Sequence, residues 1–235
     1  KKFNHLLGYS KSMKTQLYKE YCIKKNIFDC ENKVYYNPKY DGGGPLFIEH
    51  IFSKEEFLNN NKNVKSILEL CSGPGFIGWY LFHQLEAETV SFSDLNQEVL
   101  EGLNLTNKSN NSNFQFYHSD GFDQYTGDKV DLIVSNPPFF NNEEQLYAFI
   151  NWYQLQDEKL ARFIALDKDF NLHKRIIKEY PNYLNDGGKF ILINDIRFTK
   201  PETLVSFAKP NVKYEVNQFK INNKIPNYYT LTFYK

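Results

Sequence analysis

Cysteine, methionine and net charge are all scarce in this chain. Its three cysteines, Cys22, Cys30 and Cys71, form no Cys-x-x-Cys pair and have no His-x-His partner. That excludes a zinc site and a disulfide framework and leaves reduced thiols in a cytoplasmic protein as the default. His5, His50, His83, His118 and His173 show no metal spacing, so no metal is expected and all five read as structural or surface residues. The 28 Lys and Arg balance 28 Asp and Glu, so no whole-molecule field draws in a polyanion. A local basic patch remains compatible with nucleic acid. No stretch approaches the roughly 18 apolar residues of a membrane span, so no membrane is expected as a partner. The start "KKFNHLLGYSKSMK" is basic but lacks a long apolar core and a cleavage site, so no signal peptide is expected. The chain opens on Lys1 rather than Met, and its natural start is left open.

What is there reads as α/β. "KSMKTQLYKEYCIKKN" has Met13, Leu17, Tyr18 and Tyr21 at helical spacing, which predicts a basic amphipathic helix. "KVYYNP" predicts a short strand stopped by Pro38, and "YDGGGPLFIEHIF" a glycine-rich turn before a helix opening at Pro45. Ser53 and Glu56 fit a capping box for "KEEFLNN". From residue 65 strands alternate with helices: "KSILELC", "ETVSFSD", "NFQFYHS", "KVDLIVSN" and "GGKFILIND" are strand-like runs. That alternation predicts a parallel sheet with right-handed crossovers, and "NVKYEVNQFKI" with "NYYTLTFYK" predicts an antiparallel hairpin at one edge. The expected organisation is an N-terminal, mainly helical extension over 1–60, a substrate-recognition or lid region, and a ligand-binding domain over 61–235.

"ILELCSGPGFIG" places Gly73, Gly75 and Gly78 as Gly-x-Gly-x-x-Gly between a strand and a helix. Glycines there let the backbone turn tightly and let a ligand approach without a Cβ. Asp94 ends the next strand, where an acid can hold ribose hydroxyls. Two ligand classes compete. A dinucleotide brings a pyrophosphate that wants a helix N-terminus free of anions. S-adenosylmethionine brings an ammonium and a sulfonium, and Glu69 near the end of the first strand suits those cations. The alternative for Glu69 is a solvent-facing strand end. Asp120, in "SDGF", is positioned to accept from an adenine amino group with Phe122 near the ring; the alternative is a turn-making residue.

"VDLIVSNPPFF" ends a hydrophobic strand in Asn136, Pro137, Pro138 and Phe139. A bare turn needs less. With "ELCSGPGFIG", "SDLN" and "SDGFD" upstream, the order and spacing resemble class I S-adenosylmethionine-dependent methyltransferases. The Asn-Pro-Pro-Phe form is similar to the branch that methylates planar nitrogens. "ARFIALDKDFNLHKRIIKEYPNYLNDGGKFILI" resembles the corresponding stretch of release-factor glutamine N5-methyltransferases. The resemblance implies a Rossmann-like, mostly parallel, twisted sheet of seven strands. It implies a cofactor site on Glu69, Cys71, Ser72, Gly73, Gly75, Phe76, Gly78, Asp94, Leu95, Asp120, Gly121, Phe122 and Asn136. It also implies that Asn136, Pro137, Pro138 and Phe139 carry the transfer.

An amide or aniline-like nitrogen is a poor nucleophile because its lone pair is delocalised. Two acceptors aimed at its N–H bonds, the Asn136 side-chain oxygen and the Pro137 carbonyl, would orient it; Pro stiffens them and Phe139 packs on the plane. Phe140, Tyr147, Phe149 and Trp152 read as packing residues. The glutamine-methylating relatives carry a Pro-rich segment with a Thr before the glycine loop. Here Gly42, Gly43 and Gly44 replace it, which opens the acceptor question. The first reading is a glutamine-like side chain of a protein or peptide. The second is the adenine N6 of RNA or DNA, which the basic N-terminal stretch favours. A catalytically silent cofactor-binding module is a third, and a dinucleotide oxidoreductase a fourth. The oligomeric state is left open, and a monomer is compatible.

Overall fold

A computed structural model describes residues 19–23, 32–38, 43–153, 157–220 and 227–235. Strands β1 (Lys19–Ile23) and β2 (Asn32–Tyr36) form an antiparallel pair. This overturns part of the basic helix expected around Met13 and Tyr21, because Lys19–Ile23 takes its hydrogen bonds from β2 instead of from its own turn. The rest of that stretch lies outside the described residues. The described part of the N-terminal extension combines this strand pair with short helices. Helix α1 (Gly44–Phe47) opens with Pro45 and runs into a π-helical turn over Ile48–Phe52. Helix α2 (Glu55–Asn61) follows, with Lys54 as its N-cap residue and no side-chain cap. The capping box expected at Ser53 does not form. Its hydroxyl donates back to Glu49 O at 3.0 Å, closing the preceding turn instead.

The main sheet is built from β3 (Ser66–Leu70), β4 (Thr89–Asp94), β5 (Gln115–His118), β6 (Val130–Ser135), β7 (Leu184–Asp195), β8 (Tyr214–Phe219) and β9 (Tyr228–Tyr234). Their order is β5-β4-β3-β6-β7-β9-β8. All neighbours through β7 are parallel, and β9 pairs antiparallel with both β7 and β8. This is the expected seven-stranded mixed sheet with its C-terminal hairpin at the edge. Connecting helices are α3 (Phe76–Gln84), α4 (Gln97–Ser109), α5 (Glu143–Tyr153), α6 (Glu158–Ala165), α7 (Asn171–Glu179) and α8 (Pro201–Val205).

Both faces of the sheet are covered, as parallel strands require. On one face Ile67, Leu132 and Val134 pack with Phe76, Trp79 and Phe92, and Phe47 and Phe52 join the same cluster. On the other, Leu68, Leu70 and Ile133 pack with Ile176, Tyr180 and Phe233. Alternate residues of β3 thus serve opposite cores. The chain runs outward from β3 through β4 to β5, then returns to place β6 on the other side of β3. That reversal opens a crevice at the carboxyl ends of β3 and β6, where open α/β sheets bind ligands. No described helix is long and apolar enough to cross a membrane.

Candidate active site

A cavity of about 450 Å³ occupies that crevice. This is within the usual range for small-molecule sites. Glu69 and the Cys71–Pro74 turn come from β3, Asp94 and Leu95 from β4, and Asp120 and Gly121 from the turn after β5. Asn136, Pro137, Pro138 and Phe139 come from the end of β6, so nearly all the residues singled out from sequence meet here. Among the described residues, its lining includes the carboxylates Glu69, Asp94 and Asp120 and no Lys, Arg or His.

Glu69 is 3% exposed, so it is not a solvent-facing strand end. Its Oε2 accepts from the Gly78 N–H at 2.7 Å, at the first turn of α3. Burial pushes its carboxyl up to about 8, against the lowering pull of the Gly78 and Ile77 amides. Asp94 accepts from the Gly73 N–H at 2.7 Å and the Asn96 N–H at 2.8 Å. Burial raises its carboxyl too, with those amides opposing. Two acids are thus held by backbone donors in a cavity that no described Lys, Arg or His lines. A bound cation would relieve that cost, because an opposite charge nearby favours the ionised form.

Three residues expected to meet the ligand do not line the cavity. Gly75 and Gly78 serve internal packing. A Cβ at Gly75 would sit 2.7 Å from Leu103 and 2.8 Å from Phe92, and Gly75 also takes a φ of +78° as the N-cap of α3. A Cβ at Gly78 would sit 2.8 Å from Glu69 Oε2, so only glycine there lets the amide reach the acid. Phe122 is 2% exposed and stacks on Tyr183 at 4.2 Å between centroids, so its ring belongs to the core. Asp120 does more than make a turn: its Oδ1 accepts from Arg175 Nη2 at 2.5 Å, and Arg175 also reaches Asp123 at 2.9 Å.

The β6 side of the cavity is aromatic. The Phe139 ring lies 5.9 Å from that of Phe198, with the planes 25° apart, and 4.8 Å from that of Phe140. Phe140 is fully buried with Leu146, Ile150 and Ala161, as a packing residue should be. Phe149 packs against it and also lines the cavity. Tyr147 is not a packing residue: it is 43% exposed and donates its hydroxyl to Glu158 at 3.0 Å. The Trp152 side chain lies outside the described residues. Gly43 and Gly44 line the cavity, and a Cβ at Gly44 would come within 2.8 Å of Phe76. Gly42 lies outside the described residues.

Sequence reasoning missed Arg175, Phe163 and Ile164. Phe163 and Ile164 are exposed at the cavity mouth on α6, and their helical spacing alone reads as an amphipathic face. Arg175 is 55 residues from Asp120, and no local pattern announces such a pair.

A family model described as "Methyltransferase small domain" matches residues 25–153, more than half the chain. The chain is 33% identical over 138 residues to the ribosomal protein uL3 glutamine methyltransferase of Francisella tularensis, covering 58% of this chain and 43% of that protein. It is 25% identical over 182 residues to the ribosomal RNA small subunit methyltransferase C of Haemophilus ducreyi, covering 77% of this chain and 46% of that protein. It therefore spans less than half the length of these two relatives. Among solved structures, it resembles a 16S rRNA N2 methyltransferase of T. thermophilus in complex with AdoMet and guanosine. The TM-score is 0.61 at 18% identity, covering 94% of this chain and 51% of that one, a likeness of fold.

Proposed function

The chain belongs to the methyltransferase small-domain family, and from that premise we propose that it transfers a methyl group from S-adenosylmethionine to a planar amide-type nitrogen. The observation that carries this reading is the charge of the cavity: three carboxylates line it, among the described residues, and no basic side chain does. Such a lining suits a ligand bearing an ammonium and a sulfonium and repels a pyrophosphate. S-adenosylmethionine, when bound, supplies an electrophilic methyl on a positively charged sulfur.

The chain's own residues hold and aim. Glu69 meets the ammonium, Asp94 the ribose hydroxyls, and Asp120, braced by Arg175, the adenine amino group. Asn136 Oδ1 and the Pro137 carbonyl accept the two N–H bonds of the incoming nitrogen, and Phe139 covers its plane. Pro137 and Pro138 keep these acceptors from relaxing, so their alignment is in place before the nitrogen arrives. As the N–C bond forms the nitrogen becomes acidic, and its surplus proton leaves to solvent without a strong base. Positioning supplies most of the rate.

For the acceptor we favour a glutamine-like side chain of a protein or peptide, in a cytoplasmic reaction. The support is the 33% identity to a glutamine methyltransferase across the matched stretch. The second reading, a nucleobase nitrogen of RNA, is favoured by the rRNA-methylating relative that covers 77% of this chain. Labelled-methyl transfer to cell extract separates them. Label lost to protease and kept after nuclease supports the first reading, and the reverse supports the second. No incorporation into any fraction, with no melting shift from S-adenosylmethionine, sinks both.

A further inference from the structure

The loop after β6 is clamped from behind by a buried chain of side chains that the transfer itself does not use. The Phe140 N–H donates to Ala165 O at 3.0 Å, and the Asp167 N–H donates to Phe140 O at 2.8 Å. Phe140 and Leu166 thereby form a short parallel bridge. The Asp169 N–H adds a bond to Asn141 O at 2.8 Å. The Asp167 carboxylate accepts from the amides of Leu172 at 2.7 Å and His173 at 3.0 Å, capping the start of α7. It also accepts from His173 Nδ1 at 2.6 Å. The other ring nitrogen, Nε2, lies 3.1 Å from Asn194 Nδ2 at the end of β7. Asp167, His173 and Asn194 are 5%, 0% and 1% exposed.

The polarity of this chain is fixed at one end. The Asp195 N–H, 2.8 Å from Asn194 Oδ1, can only donate. The Asn194 oxygen must face it, so the Asn194 NH2 faces the ring. Nε2 is therefore an acceptor and the proton sits on Nδ1, aimed at Asp167. A second ring proton would set two donors against each other inside the core, where an unmatched polar pair is costly.

We propose that His173 is a positioning residue: as a neutral Nδ1–H imidazole between Asp167 and Asn194, it ties the acceptor loop Asn136–Phe140 to the end of β7. It is fully buried and does not line the cavity, so it acts through Asp167 and the bridge to Phe140. The effect on rate rests on the transfer reading above; the geometry does not.

Two variants separate positioning from bulk. His173→Leu removes both ring bonds, while His173→Gln supplies one N–H and one oxygen with no titratable ring. Nitrogen NMR of the wild-type protein should show Nδ1 protonated and Nε2 bare. In His173→Leu, hydrogen exchange should accelerate at the Phe140 and Asp167 amides and stay unchanged in β3 and β6. Affinity for S-adenosylhomocysteine should stay within a few-fold, and labelled-methyl transfer to cell extract should fall by about 100-fold, the scale of an ångström-sized misplacement. His173→Gln should restore most of both losses. A ring protonated on Nε2, a Gln variant as damaged as the Leu variant, or unchanged Phe140 exchange in His173→Leu would each overturn the proposal. Should His173→Leu fail to fold, Asn194→Ala removes the outer ring bond together with the acceptor of the Asp195 N–H, and must still loosen the Phe140 amide. Wild-type protein with the expected exchange pattern but no transfer to any extract would sink the transfer reading and leave this one standing.

Discussion

The two halves of the cavity are held by different means. On the β3–β4 side, Glu69 and Asp94 are fixed by main-chain amides of the β3–α3 and β4–α4 junctions, from Gly73, Gly78 and Asn96. On the β6 side, the loop through Asn136 and Phe139 is fixed by a segment about 30 residues further on, through the Phe140–Leu166 bridge and the Asp167 cap. The first half is charged and locally encoded. The second is aromatic and depends on tertiary contacts. Charge placed by nearby backbone dipoles is hard to misplace, whereas a loop placed from a distance can shift without loss of the fold.

If the halves divide the work this way, variants should separate binding from transfer. The largest effect is expected for Asn136→Ala: labelled-methyl transfer should drop by about 100- to 1,000-fold, the cost of removing one preorganised polar partner. Calorimetric affinity for S-adenosylhomocysteine should hardly move. Equal loss of both would erase the distinction. Next is Glu69→Gln, which keeps an acceptor for Gly78 but removes the charge. Affinity for S-adenosylmethionine should weaken on the order of 100-fold, as when one member of a buried charge pair is truncated. Unchanged affinity would remove Glu69 from the binding half.

Gly78→Ala tests whether the glycine serves the acid or the ligand. An added Cβ would lie 2.8 Å from Glu69 Oε2 and 2.9 Å from Phe92. The expected loss is about 1–3 kcal/mol of stability, typical of overpacking, read as a lower melting temperature without ligand. Undiminished stability would return that glycine to the ligand.

The last effect is a gradual one, a pH slope. With the Glu69 carboxyl at about 8 in the fold and 4.5 as its ordinary value, the folded chain keeps a proton there that the unfolded chain releases. Stability of the ligand-free protein should therefore fall as pH rises between those values, by at most about 1.4 kcal/mol per pH unit from this group. Above about 8 this contribution levels off. Affinity for a cationic ligand should run the other way, rising up to that pH. Melting and titration series from pH 6 to 9 check both signs, and Glu69→Gln should flatten both.

The same division explains what could be read in advance. The sheet, its edge hairpin and most of the cavity-lining positions were legible, because strand alternation and a strand-glycine-helix junction are short-range patterns. Ser53 was misread because two short-range bonds compete there and its hydroxyl bonded backward to Glu49, and Lys19–Ile23 because a helical spacing yielded to pairing with β2. Phe122 was misassigned because an aromatic beside a turn carries no mark of which way it faces; Tyr183 decides that from 61 residues away. Arg175 and the outer face of His173 have no local signature: Asp120 and Asn194 lie 55 and 21 residues away in sequence.

The Phe140–Leu166 bridge has a consequence for how the loop after β6 can be probed. The acceptor loop is anchored at its far end by main-chain bonds, which are indifferent to side-chain identity. Substitutions between Ser135 and Phe140 then leave the far end of the loop in place, so they test the chemistry of that segment without disturbing the pocket on the β3–β4 side.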